Sequence, residues 1–299
     1  MWRLEIFLVL LLASSAFGVG QPSAVQVATP EDVLKSYLEA VYSRNYPAAY
    51  ELISYEDRKL KTKEDYVREH GAFSRAAQKV AHALAAYIRY ERLRSVIQGN
   101  RATVTFKAIL PNANDPAIEA LALGFDEGRL AELSAADRKG ILEKLDEMER
   151  AGRLPMIAGE DEKWELIREE GTWRIFLNWA GAVVVRFTGV VKARLPWTFD
   201  PIQPVVRAMP GETLQTFYRV KNLSPWTIVG KARHVLNPAG GYLQIVTCFC
   251  FIEQALKPGE ARDLPVVFRV SGNAPKSIKE MQVRYEFYPL DRFPPGKER

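Results

Sequence analysis

From residue 183 to about residue 290 the chain shows no helical period. It breaks instead into short β-branched and aromatic stretches at 183–191, 212–222, 242–251, 261–270 and 280–287, with Pro, Gly and Asn between them. Segments this short cannot bury a face alone and must pair. Frequent turns without a helical period predict an antiparallel sandwich over 183–290, with 291–299 as a tail.

The third stretch holds Thr247-Cys248-Phe249-Cys250-Phe251, with the only two cysteines among 299 residues. If the run is extended, side chains alternate, so Cys248 and Cys250 face one way while Phe249 and Phe251 face the core. Two residues along a strand span about 6.6 Å. A disulfide needs Cβ atoms about 3.5–4.5 Å apart, so an extended strand disfavours a Cys248–Cys250 bridge and leaves both thiols available.

Soft thiolates select Cu(I), zinc or iron–sulfur clusters. Closed zinc sites and clusters take four ligands, and no histidine is adjacent in sequence. Low-coordinate Cu(I) therefore fits best, with Cys248 and Cys250 as ligands. With metal–sulfur bonds near 2.3 Å, one ion spans sulfurs at most about 4.6 Å apart. Either a bulge draws the cysteines together, or two chains share copper between four thiolates. The competing reading is a pair of buried, inert small hydrophobes.

The length predicts two domains plus a targeting segment. Hydrophobic residues at 47% and charged residues at 26% describe ordinary globular material. The net charge of +5 is spread along the chain, and no basic block of nucleic-acid type occurs. At the N-terminus, Met1-Trp2-Arg3-Leu4-Glu5 precedes an apolar run from Ile6 to Ala13 and a small-x-small site at Ala16-Phe17-Gly18. Residues 1–18 read as a signal peptide or short membrane anchor and 19–28 as a linker. The expected location is the periplasm or the periplasmic face of the inner membrane.

Residues 29–182 read as α+β. Thr29-Pro30-Glu31-Asp32 supplies a cap, a first-position proline and first-turn acids. Val33, Tyr37, Leu38, Val41 and Tyr42 then make one apolar stripe. Residues 101–110 alternate as a strand, and 164–168 with 172–177 read as a hairpin. Residues 112–160 read as a helical insertion with Leu130, Leu133, Ile141, Leu142, Leu145 and Met148 as its apolar face. His70 and His82 read as ordinary helix histidines, and Asp57, Glu64 and Asp65 as solvated surface acids. No spaced acid–base constellation stands out, so no catalytic residue is assigned and the chain is expected not to be an enzyme. The run Asn45-Tyr46-x-Ala48-Ala49-Tyr50-x-Leu52-Ile53, with a closing hairpin carrying Gly171-x-Trp173-Arg174-Ile175, resembles the NTF2-like fold. That resemblance implies a helix-backed curved sheet forming a cone.

The β region resembles the CtaG-type cytochrome c oxidase assembly proteins. The resemblance runs in order through Val185-Arg186-Phe187, the segment from Leu195 to Pro201, Pro210-Gly211-Glu212-Thr213, Phe217-Tyr218 and Lys221-Asn222, then from Pro238 to Tyr242. It continues through Cys248-Phe249-Cys250-Phe251-x-Glu253-Gln254, Leu256-x-Pro258-x-Glu260 and Asp263-Leu264-Pro265-Val266-x-Phe268. It implies an immunoglobulin-like sandwich on the outer face of an energy-transducing membrane. It also implies Cu(I) bound by Cys248 and Cys250, copper delivery to the copper B centre of the oxidase catalytic subunit, and a copper-bridged homodimer. Glu253 and Gln254 are secondary candidates for docking or for supporting the site, while Phe249, Phe251, Trp197 and Phe199 read as core.

Three features depart from that pattern. The family carries a further cysteine near its membrane helix, and this chain has none. A whole domain stands where the family has a short spacer. Ile245 replaces a basic residue, and Arg269-Val270-Ser271-Gly272 lacks the family's Ile-Asp-Pro-like element. An alternative reading is an NTF2-like ligand-binding or catalytic protein whose sandwich is an interaction module.

Overall fold

The computed structural model describes residues 28–71, 75–112, 115–121, 132–238 and 241–294. The expected signal segment, most of the linker and Leu130 lie outside the described residues, as does most of the tail.

The N-terminal part opens with α1 (Pro30–Tyr42). Thr29 and Asp32 cap its start reciprocally: the Asp32 backbone N–H donates to Thr29 Oγ1, and the Thr29 N–H donates to the Asp32 carboxylate. Helices α2 (Tyr46–Glu51), α3 (Tyr55–Arg58), α4 (Lys63–His70) and α5 (Arg75–Ala85) follow. They accompany an antiparallel sheet of order β1 (Arg89–Gln98), β2 (Arg101–Pro111), β3 (Met156–Glu169) and β4 (Thr172–Ile175). Its core joins Leu34, Tyr37 and Leu38 of α1 to Val104 and Phe106 of β2, Leu166 of β3 and Trp173 of β4.

The insertion holds α6 (Pro116–Leu121) and α7 (Ala135–Arg150). Ile141 and Leu145 bury with Val80, Ile118 and Leu154, and Leu133 and Met148 pack on that cluster. The insertion ends before Met156, because β3 begins there and pairs with β2 along its length.

Asp57 is not a surface acid. It is buried, and its carboxylate accepts the backbone N–H groups of Leu177 and Trp179 at 2.8 and 2.7 Å and the Ser54 hydroxyl at 2.8 Å. It ties the start of α3 to the chain leaving β4.

The C-terminal part is a two-sheet β-sandwich. One sheet has the order β10 (Leu243–Cys248), β12 (Ala261–Val270), β8 (Thr213–Asn222) and β6 (Trp197–Pro201). The other has the order β11 (Gln254–Leu256), β9 (Ile228–Asn237), β13 (Glu280–Pro289), β5 (Val183–Val191) and β7 (Val205–Ala208). The sandwich is not wholly antiparallel: β13 lies parallel to β5, from Glu280 opposite Val184 to Phe287 opposite Val191.

Aromatic rings fill the space between the sheets. Phe199 stacks on Tyr218 at 4.8 Å, and Trp197 meets Phe287 edge-on at 5.0 Å. Gly230 is required where β9 passes Trp197, since a Cβ there would come within 2.8 Å of the indole ring.

A buried polar cluster joins the two parts. Lys61 contacts the Glu69 carboxylate, donates to the Arg207 carbonyl at 2.9 Å and lies 4.6 Å from the centre of the Trp179 ring. Gln203 Nε2 donates to Glu69 Oε1 at 2.6 Å. His70 donates from Nδ1 to the Tyr66 carbonyl at 2.7 Å and sets Nε2 at 3.7 Å from Glu212. Glu212 in turn accepts the Met209 backbone N–H at 2.8 Å.

Candidate metal centre

Cys248 is the last residue of β10, and Phe249–Phe251 turn as a short 3-10 helix before β11. Two local features end the extended run. The register between β10 and β12 shifts between Ile245 and Thr247, and Phe249 turns inward. Phe249 packs against Tyr285 at 4.9 Å and against Phe199, Tyr218 and Phe287 at 5.7–5.8 Å, so burial of this ring sets the turn.

The turn overturns two expectations. Cys248, Phe249 and Cys250 do not alternate between faces; all three belong to the sandwich core, at 5%, 4% and 7% exposure. The cysteines are also joined as a disulfide. Only in an extended chain would the spacing disfavour that bond. The turn brings the Cα atoms to 5.2 Å, inside the range of about 4.4–6.8 Å in which disulfides form. An irregular backbone converges the sulfurs within the one chain. The Phe251 side chain lies outside the described residues.

Two groups hold the turn. The Cys250 backbone N–H donates to Cys248 Sγ at 3.2 Å. Gln254 is buried, donates weakly from Nε2 to the Phe249 carbonyl at 3.4 Å and accepts from Arg262 at 3.4 Å. It braces the cysteine turn from inside, whereas Glu253 is exposed. Trp197 and Phe199 are buried, as expected of core residues.

The residue that sequence reading missed is His234. It lies on β9, opposite Tyr285 of β13, and its Nδ1 is 3.6 Å from Cys250 Sγ. One ligand atom from each of His234, Cys248 and Cys250 lies within 4.8 Å of the others. Burial lowers the His234 pKa below the ordinary histidine value and so favours the neutral ring, the form that binds metals. No spacing rule links residue 234 to residues 248–250, because β13 and the 3-10 turn make the connection. The signal was there only as the one histidine of the β region.

Two thiol sulfurs and an imidazole nitrogen suit a soft or borderline metal ion once the disulfide is reduced. Val246 and Ile252, each two residues outside the cysteines in sequence, are exposed apolar residues at 53% and 64%.

Residues 160–289 match the family of cytochrome c oxidase assembly protein CtaG/Cox11. The match covers the C-terminal sandwich and begins within β3, upstream of the sandwich itself. The cytochrome c oxidase assembly protein CtaG of Rhizobium meliloti is 40% identical over 116 residues, covering 36% of this chain and 59% of that protein. The same-named proteins of Reclinomonas americana and Brucella ovis are 38% and 39% identical over 116 and 117 residues. They are covered over 64% and 58% of their length, by 36% and 37% of this chain. The chain thus spans about three fifths of the curated relatives it matches. Among solved structures, a Salmonella alpha-2-macroglobulin aligns over 67% of this chain at 12% identity, with a TM-score of 0.22, too low to carry an argument.

Proposed function

We propose that this chain is an exported copper carrier and assembly factor. Cys248 and Cys250 bind Cu(I) and pass it by thiolate exchange to the copper B centre of cytochrome c oxidase or to a related cuproprotein. The observation that carries this reading is the convergence of the only two cysteines of the chain in one turn of a CtaG-type region.

The turn must first be reduced. A dithiol reductant supplies two electrons and two protons, ending as a disulfide itself, and Cu(I) then displaces the two thiol protons. The exposed Val246 and Ile252 beside buried sulfurs suit a site that opens against a partner surface rather than to water.

In this reading residues 29–182 form an NTF2-like domain and residues 183–290 an immunoglobulin-like one. Residues 1–18 direct the chain to the periplasm or hold it at the periplasmic face of the inner membrane. Among the described residues no helix is long and apolar enough to cross a membrane. The chain acts as a carrier and not as an enzyme. Tyrosines, leucines and tryptophans fill the space between helices and sheet in the N-terminal part, which favours a scaffold over a ligand-binding cone.

The test is the metal content of the reduced, purified soluble chain. The wild type is expected to hold one Cu(I) per chain, and the Cys248→Ser/Cys250→Ser double variant none. Stoichiometric Cu(I) in the double variant overturns the proposal.

A further inference from the structure

We propose that His234 is the third copper ligand, its Nδ1 completing with the sulfurs of Cys248 and Cys250 a three-coordinate Cu(I) site within a single chain. This rests on the copper-carrier reading and adds to it a ligand and a stoichiometry.

Donors sharing one ion sit at most about 4.3–4.6 Å apart, taking zinc–nitrogen and zinc–sulfur bonds as a ruler. The three candidate atoms already lie within 4.8 Å of one another, before any metal draws them in. The two sulfurs are bonded in this form, so reduction must part them first, and the His234 Nδ1 already lies 3.6 Å from Cys250 Sγ.

Packing against its neighbours holds the imidazole. His234 projects from β9, where it pairs with Tyr285 of β13, and β11 pairs with the same strand further along, at Ile228–Gly230. The same Tyr285 ring packs against His234 at 5.8 Å and against Phe249 at 4.9 Å. One aromatic side chain therefore positions both the histidine and the turn that carries the cysteines. Ligands fixed by packing on regular elements are preorganised and lose little freedom on binding.

Among the described residues the His234 ring has no competing polar role: Cys250 Sγ is its only partner at hydrogen-bonding distance. Imidazole and thiolate together are a donor set that copper accepts. With no further cysteine in the chain, a thiolate-only site is limited to two sulfurs unless a second chain contributes. An imidazole in the same chain removes the need for that second chain.

The experiment uses the full soluble chain, reduced and freed of reductant without oxygen, and titrated with Cu(I) alone against a chromophoric Cu(I) chelator. His234→Ala, His234→Gln and the Cys248→Ser/Cys250→Ser double variant are compared with the wild type. X-ray absorption fine structure of the copper-loaded wild type counts sulfur and nitrogen neighbours, and sedimentation gives its mass. Since losing even an outer partner of a ligand costs about 10–100-fold in affinity, both His234 variants are expected to weaken binding at least about tenfold. The wild type is expected to show two sulfurs and one nitrogen at copper, and a monomeric mass.

Wild-type affinity in both His234 variants, or a wild-type copper shell of sulfur alone in a dimer, overturns the inference while leaving the copper carrier intact. Stoichiometric copper in the double cysteine variant overturns the carrier reading itself. The nitrogen count comes from the wild type, so a misfolded variant cannot mask the answer.

Discussion

At the scale of single residues, Asn222 shows what a motif position does. It is fully buried at the end of β8, and its amide Nδ2 faces the carbonyls of Trp226, Leu256 and Lys257 at 2.7, 3.0 and 3.2 Å. Its Oδ1 accepts from the backbone and hydroxyl of Ser224 at 2.9 and 2.8 Å. This one side chain closes the β8–β9 loop and fastens the end of β11, the strand that follows the cysteine turn. Leaving a buried polar group unpaired costs about 1–3 kcal/mol, so Asn222→Ala is expected to lower stability by at least that much. Asn222→Asp should cost more, because it sets a carboxylate against three carbonyl oxygens. Urea midpoints of the two variants check the order, and an Asp variant as stable as the wild type would show that the loop is held by something else. The Lys221-Asn222 pair was visible in sequence as part of a family-like string, but its role was not, because the partners lie up to 35 residues away.

At the scale of elements, strands with clean alternation and clear breakers were legible. Both β5 and β12 run over the residues expected, and β8 and β13 differ from expectation only at their ends. The expected strand over 242–251 was too long because Phe249 gains more by burying among four aromatic rings than the chain gains by staying extended. Strand β9 was missed, since Lys231, Arg233 and His234 interrupt its apolar pattern, and with it went the third member of the candidate site. Phe249 is therefore the residue whose loss should reshape the turn. Phe249→Ala is expected to cost about 3–5 kcal/mol through the cavity it leaves. It should also speed alkylation of Cys248 and Cys250 after reduction, because the turn loses its anchor. Denaturation curves and timed thiol labelling check both effects together. Destabilisation without faster labelling would mean that Gln254 and the Cys248–Cys250 hydrogen bond hold the turn unaided.

At the scale of the whole molecule, the cluster of Lys61, Glu69, His70, Gln203 and Glu212 decides how the two parts respond to pH. It was illegible in sequence: Asp57, Glu64 and Asp65 drew attention as surface acids, while the buried acid Glu69 finds Gln203 only through the fold. Burial pushes the Glu69 carboxyl up to about 7 against the opposing pull of Lys61, and it raises the Glu212 carboxyl as well. Burial pushes His70 down to about 4. The raised carboxyls favour folding fully below their unfolded value near 4.5, and that contribution is lost as pH climbs through the folded value of Glu69 near 7. The depressed histidine acts in reverse: its contribution is present above its unfolded value near 6.5 and is lost as pH falls through 4. Between about pH 4.5 and 6.5 the Glu69 and His70 effects oppose each other, so together they leave stability nearly level across that window. His70→Gln removes one side of the balance. Its stability is then expected to fall as pH rises from 4.5 to 7, by about 2–3 kcal/mol relative to the wild type. Because the prediction concerns the slope with pH, an offset from the lost hydrogen bond to Tyr66 does not affect it. Guanidinium unfolding at intervals across the window measures the slope directly. Parallel curves for wild type and variant would mean that His70 is not the counterweight to Glu69, and that the junction between the two parts carries no balanced pair of titrating groups.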